Sequence, residues 1–92
     1  MTINPNELEI IGAWTMINGR MTEDETSHRI HLLVQEELRC IATAADGWEK
    51  LYRDPLDGRL WELTYPNGEM QGGGPPTLVL IGPGKALEKY KI

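Results

Sequence analysis

Two runs in which apolar and polar residues alternate, residues 48–54 and 59–65, flank the four residues Pro55-Leu56-Asp57-Gly58. Proline presets φ for a turn, aspartate favours turns through its side chain, and glycine tolerates a positive φ. Alternation on both sides of such a segment is typical of a β-hairpin with a four-residue loop. We therefore predict this hairpin as the centre of the fold.

The register of the hairpin follows from the length of its loop. The expected cross-strand pairs, outward from the loop, are Asp54 with Arg59, Tyr52 with Trp61, Lys50 with Leu63 and Trp48 with Tyr65. Aromatic cross-strand pairs stabilise sheets and bury large areas, so this face is predicted to lie in the core, with an Asp54–Arg59 ion pair closing its loop end. The opposite face mixes charge and leucine, as expected of a partly exposed or contact surface: Glu49, Leu51, Arg53, Leu60, Glu62 and Thr64.

Upstream of the hairpin, apolar residues recur at spacings of three and four. They are Ile30, Leu33, Val34, Leu38, Ile41, Ala42 and Ala45. This period predicts an amphipathic helix that runs to about Ala44, with Thr22 as N-cap and Glu25 completing a capping box. Glu37 falls inside the apolar arc, where a carboxylate needs a partner. A structural ion pair with Arg53 or Arg59 is favoured over a catalytic acid.

The remaining segments complete an α+β fold in one domain over residues 1–92. Residues 14–17 are predicted to be extended, with Trp14 at an edge of the core, before a turn at Asn18-Gly19. Residues 77–81 are apolar on both alternations, as in a central strand, and residues 85–90 suit a short C-terminal helix. The expected architecture is one long amphipathic helix packed on a small antiparallel sheet of three to four strands.

Composition narrows the functional classes. The chain has 92 residues, a formal net charge of −5 and one cysteine, and its 40% hydrophobic and 25% charged residues are ordinary for a globular domain. No apolar run approaches the roughly 18 residues that span a bilayer, and the N-terminal residues lack the regions of a signal peptide, so a cytoplasmic location is expected. The acidic balance argues against non-specific nucleic-acid binding and is compatible with a basic protein partner.

The sequence carries no motif that indicates a catalytic, cofactor or metal site. The glycine triplet at 72–74 lacks the Lys-Ser/Thr of a phosphate loop, and His28 and His31 have no third ligand at metal spacing. Cys40 is expected to be a small apolar residue on a helix edge. Glu49 and Glu62 share a hairpin face, but no cleft for carboxylate catalysis is in prospect. The chain is therefore predicted not to be an enzyme.

Several residue groups together resemble the immunity protein 27 family of bacterial polymorphic toxin systems. The matching groups are Trp48-Glu49, Leu51-Tyr52-Arg53-Asp54-Pro55, Asp57-Gly58-Arg59, Trp61-Glu62, Tyr65-Pro66 and Gly72-Gly73-Gly74-Pro75-Pro76, with Glu9-Ile10-Ile11-Gly12-x-Trp14, Arg29-Ile30 and Tyr90 outside them. The resemblance implies a cytosolic antidote that binds a cognate toxin domain and blocks it. It supplies no catalytic residues, and the chain departs from the expected pattern at Asn67-Gly68 and Gln71.

The expected contact surface is the mixed hairpin face and tip, with one acidic residue of the glycine-rich loop. Its residues are Glu49, Arg53, Asp57, Glu62 and Glu69. Acidic groups would complement a basic nuclease toxin, although Arg53 and Glu62 also suit a structural role in the sheet. Because hot spots are often aromatic, a partly exposed Tyr52 or Trp14 is a further possibility. The alternative is a small ligand-binding protein or enzyme that uses the Gly72–Pro76 loop, which requires a pocket there with a strongly shifted carboxylate.

Overall fold

The computed structural model describes residues 3–45, 47–66 and 74–91. Their strands are β1 Glu9–Ile11, β2 Trp14–Ile17, β3 Arg20–Glu23, β4 Arg39–Thr43, β5 Lys50–Arg53, β6 Leu60–Thr64 and β7 Thr77–Ile81. The helices are α1 Glu25–Leu32, which continues into a π-helical turn at Leu33–Glu37, and α2 Pro83–Tyr90. Neither helix is long and apolar enough, within the described residues, to cross a membrane.

The strands form two antiparallel sheets. The main sheet has five strands in the order β1-β7-β6-β5-β4, and β2 pairs only with β3 in a second, two-stranded sheet. The α+β class is therefore confirmed, but the main sheet is larger than the predicted three to four strands because β1 and β4 extend it at both edges. As predicted, β7 is an internal strand, and Asn18 and Gly19 form the β2–β3 turn with φ angles of 52° and 76°.

The central hairpin has the predicted register. Tyr52 pairs with Trp61 and Lys50 with Leu63, and the rings of Trp48 and Tyr65 meet edge to face with centroids 5.7 Å apart. The alternation and the turn residues were enough to predict this register, because the turn sets the register of both strands.

The predicted ion pair between Asp54 and Arg59 is wrong. The Asp54 side chain accepts a hydrogen bond from the Leu56 N–H at 2.9 Å, an Asx turn that organises the loop from the residue before it. Arg59 pairs with Asp57 instead, Nε to Oδ2 at 2.6 Å, and it also donates to the Glu7 carbonyl at 3.0 Å. The guanidinium thus connects the hairpin loop to the N-terminal segment.

The helix ends earlier than its apolar period predicts. Its last turn is π-helical and ends at Glu37, Leu38 is extended with φ −100° and ψ 151°, and residues 39–43 form β4. β4 pairs with β5, which would otherwise expose a row of unpaired backbone groups. Ile41 is 41% exposed, so its place in the apolar period was coincidental. Cys40 accordingly lies exposed on a strand rather than on a helix edge.

The predicted N-cap and the predicted partner of Glu37 are also wrong. Asp24 caps the helix, its Oδ1 accepting the Ser27 N–H at 2.7 Å, because Thr22 is held in β3 opposite Thr15. Glu37 ends the helix instead of lying between its apolar residues, and Arg59 is engaged by Asp57. Among the ion pairs of the described residues, neither Arg59 nor Arg53 pairs with Glu37.

The main core lies between α1 and one face of the five-stranded sheet. Its buried residues are Ile3, Ile10, Ile30, Leu33, Leu38, Tyr52, Trp61, Leu63 and Leu78. The aromatic hairpin face is therefore core at Tyr52 and Trp61, as predicted, whereas Trp48 is 59% exposed. On the opposite face Leu51 is fully buried, and α2 binds there through Lys89 and Tyr90.

Candidate functional site

The structure brings two of the predicted contact residues, Glu49 and Glu62, together around one lysine. Lys89 Nζ lies 2.9 Å from Glu49 Oε1 and 2.6 Å from Glu62 Oε2, and Tyr90 Oη donates to Glu62 at 2.6 Å. Burial opposes the charge of Lys89, but the hydrogen bonds to Glu62 and Glu49 outweigh it and raise the pKa of Lys89. Both carboxylates therefore hold α2 against the sheet.

Two other predicted residues, Arg53 and Asp57, line a groove of about 620 Å³ at the loop end of the hairpin. We call it the loop-end groove, and its lining side chains include Ile41, Arg53, Asp57, Leu60, Ile81 and Pro83. The lining thus combines apolar side chains with two arginines, Arg53 and Arg59, and one carboxylate. Such a surface suits a protein segment that presents both apolar and charged groups.

The groove is open because α2 covers only part of its sheet face. Arg53, Leu60 and Ile81 form one cross-strand row over β5, β6 and β7. The next row inward, which contains Leu51 and Glu62, lies beneath α2. α2 starts at Pro83, separated from the end of β7 by one residue, and in the row nearest the loop Arg53 is exposed while Leu60 and Ile81 are only partly buried.

Asp57 has a structural role within the loop. Its Oδ1 accepts the Arg59 N–H at 2.9 Å, and this backbone hydrogen bond, followed by the bond to the Arg59 side chain, lowers the pKa of Asp57. The carboxylate thus shapes the rim of the loop-end groove, where its charge is paired with that of Arg59.

Arg39 is not singled out by the sequence, because residue 39 falls within the helix predicted to run to about Ala44. In the structure Arg39 lies directly opposite Arg53 across β4 and β5, and both side chains are exposed. Like charges directly opposite in a sheet are destabilising. The pair forms a local positive patch beside the groove of an otherwise acidic chain.

A second cavity, of about 470 Å³, lies at the other end of the hairpin. We call it the aromatic cleft, and its lining residues are Trp14, Thr22, Glu23, His31, Trp48, Tyr65, Gly74 and Pro76. Trp14 and Glu23 are cross-strand partners on β2 and β3, and His31 Nε2 lies 2.8 Å from Glu23 Oε1. Burial, and then the charge of Glu23, raises the pKa of Tyr65.

The alternative ligand-binding hypothesis meets part of its requirement here. Gly74 and Pro76 of the glycine-rich loop do line a cavity, while Glu69, Gly72 and Gly73 lie outside the described residues. Among the described residues, the carboxyl group with a strongly shifted pKa is Glu7, at about 2, and the largest cause is the hydrogen bond from Arg29. Glu7 is not part of the aromatic cleft, so the pocket and the shifted carboxylate do not coincide.

Other candidates for chemistry are accounted for by the fold. Ser27 is fully buried and donates its hydroxyl to the Ala13 carbonyl at 3.0 Å. Within residues 3–45, 47–66 and 74–91, no group of three or more His, Cys, Asp or Glu side chains is placed to hold a metal ion. Tyr52 is 6% exposed, so it is a core residue rather than the partly exposed hot spot considered above, whereas Trp14 is half-buried at the aromatic cleft.

Comparison with known proteins identifies one match. A family model described as Immunity protein 27 matches residues 16–82. These residues extend from β2 to the residue before α2, and they include the hairpin and most of the lining of both cavities. No curated protein and no solved structure matches the chain.

Proposed function

The chain belongs to the immunity protein 27 family, and from this membership we propose that it binds a cognate bacterial toxin and neutralises it by covering the toxin's active site or an exosite. The match over residues 16–82 is the observation that carries the proposal. Neutralisation of this kind requires a preorganised binding surface and no chemistry of the inhibitor's own. The cytoplasm, where an antidote meets a delivered toxin, is the proposed location.

We place the contact at the loop-end groove and the hairpin tip. Leu60 and Ile81 are only partly covered, Ile41 is 41% exposed and Leu56 at the tip is 71% exposed. Arginine is a frequent hot-spot residue because its planar guanidinium combines apolar contact with bidentate hydrogen bonding. In this proposal Arg53 is the central charged contact, and Asp57 and Leu56 lie at its rim.

The acidic residues are proposed to set the rate of association with the toxin and the choice of partner. A chain with a net charge of −5 attracts a basic toxin, and a nuclease is the class whose basic surface fits best. Glu49 and Glu62 remain part of the proposed interface. Because both carboxylates bind Lys89, they act on the toxin through the electrostatic field of the surface. Glu69 remains a proposed contact.

Co-expression with the toxin encoded by the neighbouring gene tests the proposal directly. Wild-type protein is expected to restore growth and to form a complex, while Arg53→Glu weakens the complex by at least about tenfold, or 1.4 kcal/mol. The matched control is Arg20→Glu, which makes the same charge change at an exposed residue of the second sheet. Persistent toxicity with abundant folded protein and no complex would refute the proposal for that toxin.

Binding of a small ligand by the aromatic cleft is the second candidate function. The cavity beside Gly74 and Pro76 favours it. It predicts that a small molecule raises the melting temperature in the absence of any toxin, and that filling the cleft does not alter neutralisation. A toxin complex that is lost when the cleft is altered would argue for the first candidate instead.

A further inference from the structure

The aromatic cleft combines features that recognise cations. Trp48 is 59% exposed, and its ring meets Tyr65 edge to face. Trp14 lines the cleft from β2. The face of an aromatic ring carries negative potential, and tryptophan attracts cations most strongly.

The charge at the cleft has the complementary sign. Glu23 is the cross-strand partner of Trp14 on β2 and β3, and it lines the same cleft as Tyr65. The described lining contains no lysine or arginine. His31 is the basic group that faces Glu23 there, and it contacts the carboxylate at the rim.

We propose that the aromatic cleft of Trp14, Trp48, Tyr65 and Glu23 receives a lysine or arginine side chain of the toxin. This inference rests on the proposed toxin-binding function and adds a second contact, at the end of the hairpin away from the loop-end groove. The volume of about 470 Å³ is within the usual range for ligand pockets. The cation stacks on the indole faces while Glu23 balances its charge.

The occupant is assigned to the toxin on grounds of charge. A basic partner attracted by the acidic chain presents many lysine and arginine side chains at its surface, and insertion of one fills a cleft that is otherwise lined by exposed indole. Large exposed aromatic surface on a monomer is typical of an interaction site.

A titration of the isolated protein tests the chemistry of the cleft. N-acetyl-arginine methylamide at millimolar concentration is expected to change the fluorescence of Trp14 and Trp48 saturably. N-acetyl-citrulline methylamide has nearly the same shape without the charge and is expected to give no saturable change. Equal responses to both compounds, or no response to either, would overturn the inference.

Variants test the same cleft in the toxin complex. Trp48→Ala and Glu23→Gln are each expected to weaken the complex by about threefold to tenfold, the size of a cation–π or partly exposed charge contact. Leu8→Ala, which truncates another exposed apolar residue, is the control and leaves affinity unchanged. Glu23→Gln preserves shape, so it remains informative if Trp48→Ala perturbs the fold.

The outcomes separate this inference from the proposed function. A tight wild-type complex that is unaffected by both variants overturns the cleft contact and leaves toxin neutralisation standing. Absence of any wild-type complex overturns the proposed function, and then the titration with arginine and citrulline analogues alone decides whether the cleft binds cations. Loss of affinity in both variants with normal circular dichroism supports both proposals.

Discussion

At the residue scale, Gly12 lies where the backbone closely approaches two other segments. A Cβ atom at this position would lie 2.5 Å from both the Pro76 carbonyl oxygen and the Ser27 hydroxyl oxygen. The Gly12 N–H also donates to the Pro76 carbonyl at 2.9 Å. The link between β1 and β2, the first turn of α1 and the residue before β7 therefore meet at a point with no room for a side chain.

Gly12→Ala is accordingly predicted to lower the free energy of unfolding by about 1–3 kcal/mol, the usual cost of overpacking. The matched control is Gly84→Ala, because Gly84 is helical and its added Cβ would meet open space. That control is expected to be neutral or to stabilise α2 by up to about 1 kcal/mol. Urea unfolding of both variants measures the difference, and equal stabilities would contradict the close approach.

The ion pair of Glu7 makes the stability of the fold sensitive to acid. The hydrogen bonds from Arg29, at 2.8 and 2.6 Å, lower the pKa of Glu7 from 4.5 to about 2. Because the folded state has the lower pKa, the stabilisation is complete above pH 4.5 and is lost as the pH falls towards 2. Both side chains are about one quarter exposed, so solvent screening reduces the contribution below the value that the shift alone implies.

Replacing Glu7 with Gln is predicted to remove this part of the pH dependence. The free-energy difference between wild type and Glu7→Gln, measured by urea unfolding, should be largest near neutral pH and should shrink steadily below pH 4.5. Glu9→Gln is the control, since Glu9 is an exposed carboxylate two residues away. A difference that stays constant down to pH 2 would contradict the assignment.

At the scale of elements, the boundary between α1 and β4 changes what individual residues do. Leu38, at 7% exposure, is a core residue that directly follows the helical segment, whereas Ile41 lies at an irregularity of the β4–β5 register and borders the loop-end groove. Both belong to the same apolar period in the sequence. Only the change from helix to strand gives them different environments.

The two residues are therefore predicted to respond differently to truncation. Leu38→Ala should cost about 2–5 kcal/mol of stability, as for a buried leucine, while Ile41→Ala should cost about 1 kcal/mol or less. Ile41→Ala should instead weaken the toxin complex, since Ile41 lines the groove. Chemical denaturation measures the change in stability of both variants. A large loss of stability in Ile41→Ala would indicate that Ile41 is buried in a helix core.

At the scale of the whole molecule, one hairpin connects the two proposed contacts. The loop-end groove includes Arg53 and Leu60, and the aromatic cleft includes Trp48 and Tyr65 from the opposite end of the same pair of strands. The intervening residues rise about 3.3 Å each, which separates the sites by more than 10 Å. A toxin that covers both contacts binds along the length of the hairpin.

The double variant Arg53→Glu with Trp48→Ala tests this arrangement. Distant contacts without shared partners contribute additively, so the loss of binding free energy should equal the sum of the single losses to within about 0.5 kcal/mol. Isothermal titration calorimetry with the cognate toxin measures the binding free energies of the wild type, the two single variants and the double variant. A loss in the double variant no larger than that of Arg53→Glu alone would show that the toxin reaches only the groove.

The sequence by itself determined the central hairpin and the broad class of the fold. Alternation and the turn residues at 55–58 depend on neighbours along the chain, so they specified the pairing of Tyr52 with Trp61 without reference to other elements. The same local groups also carried the family resemblance, which the family model supports over residues 16–82.

Only the tertiary structure decided where the helix ends, which carboxylate Arg59 binds and which part of the mixed hairpin face stays open. The end of the helix and the open part of the hairpin face depend on other elements, and the partner of Arg59 depends on how the loop itself folds against the N-terminal segment. β5 accepts β4 as its edge partner, the loop folds Asp57 onto Arg59, and α2 covers Glu62 but stops short of Arg53. Local periodicity cannot encode these outcomes, because the backbone hydrogen bonds and buried areas that select them arise only when the strands and helices pack together.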